Sequence, residues 1–245
     1  MPSRLEEPPV GLATVVFLAS RDALADGRAL AALARTVPDG VDIVVAADAV
    51  DVSAETAATT AHEVVRTSAR LGAGAALNIG IRRARAAVVV VLDASVVPAG
   101  DIATPLVDAL GDPTVAIVGP SGYASADLQR FESIAPGGKP RDVAAVEGRL
   151  LAFRRRDAAE RGPVDEAFRA PRYLDVWWSL VLRDEGDDVA PRRAVAVPGL
   201  PIEPAEPRAE GAEAGGQERL AKRNFYRVLD RFRTRLDLAV PARDT

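Results

Sequence analysis

The sequence predicts an α/β domain built on a mostly parallel central sheet with helices packed against it. Three observations carry that expectation. From residue 13 to residue 118, apolar runs of strand length alternate with apolar residues at helical spacing, in the order β-α-β-α-β-α-β-α-β. One run, residues 87–92, is almost pure valine, and a strand apolar on both faces belongs to a parallel sheet covered on both sides. The chain has 245 residues, of which 48% are hydrophobic and 27% charged, enough to bury a sizeable core.

Residues 1–10 are polar, carry Pro8 and Pro9, and read as a flexible arm. The first strand is expected over 13–19. Leu24, Leu30, Leu33 and Ala34 then give helical spacing, interrupted by Gly27. Pro38-Asp39-Gly40 signals a turn before a second strand at 41–47. A short helix is expected over 53–60, a short strand over 63–67, and a helix over 71–85 with Leu77, Ile81 and Ala84 on one face. After the valine strand come a short helix at 102–110 and a strand at 115–118. Residues 119–142 are rich in Gly, Pro and Ser and read as a long mobile loop. A strand follows at 147–154, a break at Arg161-Gly162-Pro163, a helix at 173–185 stopped by Gly186, and a last strand at 189–197. Residues 198–216, rich in Pro, Glu, Ala and Gly, read as a linker. A final helix over 217–238 carries an apolar stripe of Leu220, Phe225, Val228, Leu229, Phe232 and Leu236. The expected organisation is an arm (1–10), one domain (11–197), a linker (198–216), and a C-terminal helix and tail (217–245).

Composition removes several functional classes. The net charge of −4 excludes a globally basic nucleic-acid-binding surface. Cysteine is absent, which excludes disulfides, Fe–S clusters, thiolate zinc sites and cysteine nucleophiles. A single histidine, His62, leaves little room for Ser–His–Asp or multi-histidine metal chemistry, and it reads as a surface or strand-edge residue. No segment has the length of a transmembrane helix and the acidic start is unlike a signal peptide, so a cytoplasmic protein is expected.

Ligands of open α/β sheets bind beyond the carboxyl ends of the strands. There the sequence places Ser20, Arg21 and Asp22 after the first strand, Asp48 after the second, and Asp93, Ala94 and Ser95 after the valine strand. Each is also an ordinary loop or helix-capping residue type, and Asn78 suits a backbone hydrogen bond as well as a ligand contact. Gly72-Ala73-Gly74 does not satisfy the dinucleotide fingerprint, because Leu77 stands at the third glycine. No Walker A sequence or nucleophile elbow is present. Asp184, Glu185, Asp187 and Asp188 lack the spacing of a Ca²⁺ loop and read as a solvated turn. Of the adjacent Trp177 and Trp178, pointing about 100° apart on a helix, one is expected in the core, leaving the other for a sugar ring or a subunit contact.

Taken in order, these positions resemble the family-2 nucleotide-sugar glycosyltransferases, inverting enzymes of GT-A fold. The similar segments are Gly72, Gly74, Asn78 and Gly80 before the strand ending in Asp93-Ala94-Ser95, then Glu147-Gly148-Arg149 and Arg154-Arg155-Arg156. They continue through residues 162–168, with Asp165-Glu166-Ala167-Phe168, then Tyr173-Leu174-Asp175 and Leu182-Arg183-Asp184-Glu185-Gly186. The resemblance spans about residues 11–197 and implies a Rossmann-like three-layer sandwich. It also implies hexosyl transfer from a nucleotide-diphosphate sugar to an acceptor hydroxyl, with inversion. Carried over by position, Asp175 is the catalytic base, and Asp93 is a ligand of a divalent cation (Mg²⁺ or Mn²⁺) or of the ribose. Ser20, Asp48, Asn78 and Ser95 complete the donor contacts. Residues 119–142 and 169–172 border the acceptor, be it a saccharide, a lipid-linked molecule or a small molecule. Ser95 in place of the second acid, Ala47 and Leu174 in place of acids, and no late histidine imply a cation weakly held or absent. They also keep open a catalytically degenerate relative that binds nucleotides or acts as a scaffold. A sugar-nucleotide nucleotidyltransferase is disfavoured, since no basic Gly-rich loop follows the first strand. The last helix carries Lys222, Arg223, Arg227, Arg231, Arg233 and Arg235. It suits a peripheral membrane contact, a homodimer contact or docking on its own domain. Asp230 and Asp237 dilute the charge and favour docking.

Overall fold

The computed structural model describes residues 11–52, 61–134, 137–205 and 214–242. The arm at 1–10 and the helix expected over 53–60 lie outside the described residues. Eight strands form the central sheet: β1 (Ala13–Leu18), β2 (Val41–Ala47), β3 (Glu63–Arg66), β4 (Val88–Asp93), β6 (Val115–Gly119), β9 (Arg141–Val143), β11 (Leu150–Arg154) and β12 (Arg193–Ala196). Their spatial order is β3-β2-β1-β4-β11-β6-β12-β9. The pairs β3/β2, β2/β1, β1/β4 and β6/β12 are parallel; β11 runs antiparallel to both β4 and β6, and β9 antiparallel to β12.

The valine strand behaves as its composition predicts. Val88, Val90 and Leu92 enter one buried cluster with Leu30 and Leu33 of α1 (Ala23–Thr36) and Leu106 of α3 (Ala103–Ala109). Val89 and Val91 enter the opposite cluster, with Leu77 of α2 (Ala73–Arg83) and Trp177, Trp178 and Leu180 of α5 (Leu174–Arg183). The sheet is therefore the middle of three layers. α1 begins where Asp22 caps the amide of Ala25 at 3.0 Å, and it stops before Pro38. Gly80 is where α2 crosses β1, because a Cβ there would lie 2.0 Å from Val16 Cγ1. The buried Thr14 hydroxyl accepts from the amides of Arg85 and Ala86, both at 3.2 Å, and turns the chain from α2 into β4.

Several expectations are corrected. Residues 119–142 are not simply a loop. β7 (Gly122–Ala124) pairs with β8 (Glu132–Ile134) and with β10 (Ala145–Val146) in a small sheet, and β9 joins the main one. The expected linker begins as structure: β13 (Ile202–Pro204) pairs antiparallel with β5 (Val96–Pro98), and the amide of Ala205 donates to Ser95 O at 2.9 Å. Both tryptophans are core, Trp178 edge-on to Phe153 and Trp177 against Phe168, so neither is left for a sugar.

The last helix, α6 (Ala214–Phe232), ends before Leu236, which is exposed. α4 (Arg155–Arg161) lies on the same face of the sheet. Val228 and Phe232 are fully buried against the domain, and Arg231 lies over the Trp177 ring at 5.5 Å. Asn224 donates to the carbonyls of Ala170 (3.0 Å) and Arg172 (2.8 Å). The stripe available for a second subunit is thus used within the chain, as the docking alternative expects. Arg183, its guanidinium pushed down to about 10 by burial, donates to Ala144 O and Leu238 O and ties the C-terminal segment to the small sheet. Among the described residues no helix is long and apolar enough to cross a membrane.

Candidate active site

The parallel register brings the sequence-predicted residues to one edge. Leu18 is level with Ala46 on β2 and with Asp93 on β4, so Ser20, Asp48 and Asp93 leave neighbouring strands at the same end. β11 enters from the opposite direction, with Leu150 level with Leu92, which puts Gly148 and Arg149 beside Asp93. The amide of Asp93 donates to Arg149 O at 3.1 Å, and the amide of Gly148 donates to Asp175 Oδ2 at 2.9 Å. Two adjacent residues therefore link the backbone of Asp93, at the end of β4, to the carboxylate of Asp175, far away in sequence.

What each polar group does locally differs. Ser20 donates through its amide and hydroxyl to the buried Asp26 carboxylate, both at 2.7 Å. Asp48 accepts from the amides of Leu71 (2.7 Å) and Gly72 (2.8 Å) and from the Thr67 hydroxyl (3.1 Å), so it fixes the turn that starts α2. Asn78 is buried; its amide nitrogen donates to Val164 O and Glu166 Oε1, and its oxygen accepts from the amide of Val164. It joins α2 to the 162–168 segment. The glycines before it do the same work by proximity. A Cβ on Gly72, whose φ is +104°, would meet Arg169 Cα at 2.7 Å, and one on Gly74 would meet Asp165 O at 2.5 Å. His62 sits at the sheet edge, half exposed or more, accepting from the amide of Ile43 at 3.1 Å.

Asp175 begins α5. Its Oδ1 accepts from the amide of Val176 at 2.9 Å, while Gly148 serves Oδ2. Burial dominates these two hydrogen bonds and pushes its carboxyl up to about 6, with the Glu147 charge adding to the rise. Gly148 is needed for this approach, since a Cβ there would lie 2.9 Å from Asp175 Cβ. Tyr123, whose phenol is raised by burial and by the charges of Asp175 and Glu147, completes the group. Glu147 is held by the Ser121 hydroxyl at 2.5 Å and pairs with Arg149 Nε at 2.8 Å. Tyr123 and Ser121 lie in the segment read as a loop, and three-residue strands leave no periodicity by which to find them. A cavity of about 390 Å³ opens on the same edge, between Gly72, Arg70 and Arg169 on one side and Pro171, Gln217 and Leu220 on the other.

The fit of a hard divalent cation follows from the donors. Ser95 turns back on Asp93, its amide donating to Oδ1 at 2.7 Å and its hydroxyl to the same oxygen. Among the described residues no hydrogen bond reaches Asp93 Oδ2. Among the described residues no group of three or more His, Asp or Glu side chains is placed to hold a metal. Mg²⁺ and Mn²⁺ are commonly held by one or two carboxylates together with substrate phosphate oxygens and water, and Asp93 Oδ2 is the oxygen this turn offers such a cation.

The three-layer sheet with acid-bearing turns at its carboxyl edge defines an open α/β protein of the kind that binds ligands at that edge. The profile of glycosyl transferase family 2 matches residues 27–155, just over half of the chain, and the chain belongs to that family. The match includes Asp48, Asn78, Asp93 and Ser95; Ser20 and Asp175 lie outside it. No curated protein matches the chain. Among solved structures it is similar to GalNAc-T7 with UDP, GalNAc and Mn²⁺, at TM-score 0.68 and 15% identity over 93% of this chain and 50% of that one. It is similar to the mannosyltransferase PcManGT from Pyrobaculum calidifontis in complex with GDP-Man and Mn²⁺, at TM-score 0.64 and 22% identity over 95% of this chain and 69% of that one. S. aureus TarS follows at TM-score 0.52 and 11% identity, over 69% and 33%. The chain thus spans half the length of the GalNAc-T7 structure. These likenesses show the GT-A fold.

Proposed function

We propose that this protein transfers a glycosyl residue from a nucleoside-diphosphate sugar to an acceptor hydroxyl with inversion, with Asp175 as the base. The observation that carries the reading is the bridge through Gly148 and Arg149, which sets a buried carboxylate of raised pKa beside the Asp93 turn. The acceptor oxygen attacks the anomeric carbon on the face opposite the diphosphate. As the new C–O bond forms, the hydroxyl proton passes to Asp175. The old C–O bond breaks and its electron pair stays on the diphosphate oxygen. Above pH 6 Asp175 is ionised and ready to accept that proton. Asp93 Oδ2 contacts the donor, as ribose acceptor or phosphate neighbour. Ser20, Asp48 and Asn78 act through the turns they hold. The cavity between Arg169 and Leu220 lies on the acceptor side.

The test combines donor binding and turnover. The protein is screened with UDP-, GDP-, CDP- and dTDP-sugars for hydrolysis and for transfer to saccharide and lipid-linked acceptors, beside Asp175→Asn. Turnover that disappears in the variant while donor binding persists supports the reading. Turnover that survives in the variant overturns Asp175 as base. A second reading, a nucleotide-binding relative without turnover, is favoured by Ser95 standing where a second acid would. Binding without turnover over the whole panel would decide for it.

A further inference from the structure

We infer that the C-terminal helix α6 belongs to the active site, with Asn224 as a positioning residue for the turn that presents Asp175. This rests on the reading of Asp175 as base and adds to it what holds that base in place. The turn spans residues 169–173, between the 162–168 segment and α5. Its near end is tied to α2, where Phe168 O and Arg169 O accept the amides of Gly74 (2.9 Å) and Ala73 (3.2 Å). Its far end is closed by the amide of Leu174, which donates to Pro171 O at 3.0 Å. The carbonyls of Ala170 and Arg172 are left between these ties, and among the described residues no backbone amide donates to either. Both are taken by the side-chain amide of Asn224, at 3.0 Å and 2.8 Å. Asn224 is 1% exposed, and a buried polar group satisfied in this way specifies one arrangement of the chain around it.

The backbone of the turn needs such a hold. Tyr173 has φ +67°, a left-handed conformation that a residue with a Cβ keeps only where its surroundings impose it. Those surroundings come from α6 as well. Phe225, next to Asn224, packs on the Tyr173 ring with centroids 5.2 Å apart. Asp175 follows two residues after this point. The amides of Gly148 and Val176 reach its two oxygens, both at 2.9 Å, at the angle from which α5 starts. The helix that supplies Asn224 is itself fixed, because Val228 and Phe232 lie on the same face at helical spacing and are fully buried. A base works only within hydrogen-bond reach of the proton it takes, and a misplacement of about 1 Å costs about 100-fold in rate. Asn224 touches no reacting atom; it acts through the turn.

The test compares the full chain with Asn224→Ala and with Leu106→Ala. Leu106 is fully buried in the cluster on the opposite face of the sheet, so its variant loses stability without touching the turn. Hydrogen exchange of the Gly148 and Val176 amides reads the hold on Asp175 with no substrate present. Asn224→Ala is expected to speed both about tenfold or more relative to the amides of Val89 and Val91, and Leu106→Ala is expected not to raise that ratio. With the donor that the parent turns over, Asn224→Ala is expected to lower kcat about tenfold or more while donor Kd stays within about threefold. Leu106→Ala is expected to keep the parent kcat per folded molecule. Exchange or kcat left unchanged by Asn224→Ala, or a kcat loss shared by Leu106→Ala, overturns the inference while Asp175 as base stands. If the parent turns over no donor, the reading of Asp175 falls, and exchange alone decides whether Asn224 holds the turn.

Discussion

Replacing Asp175 by Asn is expected to stabilise the fold while abolishing turnover, and the two effects come from the same burial. Burial holds the Asp175 carboxyl at about 6 in the folded chain, against about 3.9 for a free aspartate. The folded state therefore binds the proton more tightly than the unfolded state. Stability falls as pH rises from about 4 to about 6, and the loss is complete above that window. The shift corresponds to about 3 kcal/mol of ionisation penalty at pH 8. Asn carries no charge and so no such penalty. It can still accept one of the two amide hydrogens now given by Gly148 and Val176, and it leaves the other facing its NH₂, a loss of about 1–2 kcal/mol. The net gain is about 1–2 kcal/mol at pH 8, or a Tm higher by a few degrees for a chain of this size. At pH 4 the parent carboxyl is protonated and the gain disappears. Differential scanning calorimetry of both proteins at pH 4, 6 and 8 measures it. A variant no more stable than the parent at pH 8, or a difference that does not shrink toward pH 4, would refute the burial argument.

The same ionisation sets the rate profile. kcat/KM is expected to fall about tenfold per pH unit below pH 6 and to be flat from 7 to 8, measured with donor and acceptor fixed. Gly148→Ala places a methyl group 2.9 Å from Asp175 Cβ and is expected to lower kcat by at least about tenfold with donor affinity little changed, read from steady-state rates and calorimetry. Asn78→Ala removes three hydrogen bonds that join α2 to the 162–168 segment. It is expected to cost about 3 kcal/mol in urea unfolding, with the remaining folded protein still binding donor.

The layered fold was legible because its signals are periodic. The valine strand feeds both buried clusters, and Leu30, Leu33 and Leu77 point inward at helical spacing. What was not legible is pairing that depends on position alone. β7, β8 and β13 are three residues long, and a strand that short carries no alternation. Composition therefore read 119–142 as loop and 198–216 as linker. Adjacent helical residues diverge by about 100°, which offers one of Trp177 and Trp178 to a ligand, but Arg231 of α6 lies over the Trp177 ring and Trp178 packs on Phe153. At the site, the edge residues were legible from their strand ends. Their partners were not: Gly148 and Tyr123 reach Asp175 only through the tertiary register, and Asp26 meets Ser20 through the turn into α1.

The carboxylates of this edge are separated by how many acceptor positions the fold leaves open. Asp48 gives Oδ1 and Oδ2 to two amides and a hydroxyl, so little remains for a ligand. Asp93 gives Oδ1 to Ser95 and keeps Oδ2. The two should respond oppositely to the same substitution. Asp48→Asn turns an NH₂ toward an amide hydrogen and weakens the turn that starts α2. It is expected to cost about 2–3 kcal/mol of stability, with donor affinity in the folded fraction within about threefold of the parent. Asp93→Asn keeps the bonds from Ser95 and changes only the open oxygen, so stability should move by about 0.5 kcal/mol or less while donor affinity falls about tenfold. Urea unfolding and calorimetry on both variants separate them. If Asp48→Asn instead loses donor affinity at unchanged stability, Asp48 contacts the donor directly, and its hydrogen bonds to the 67–72 turn are exchanged for ligand on binding.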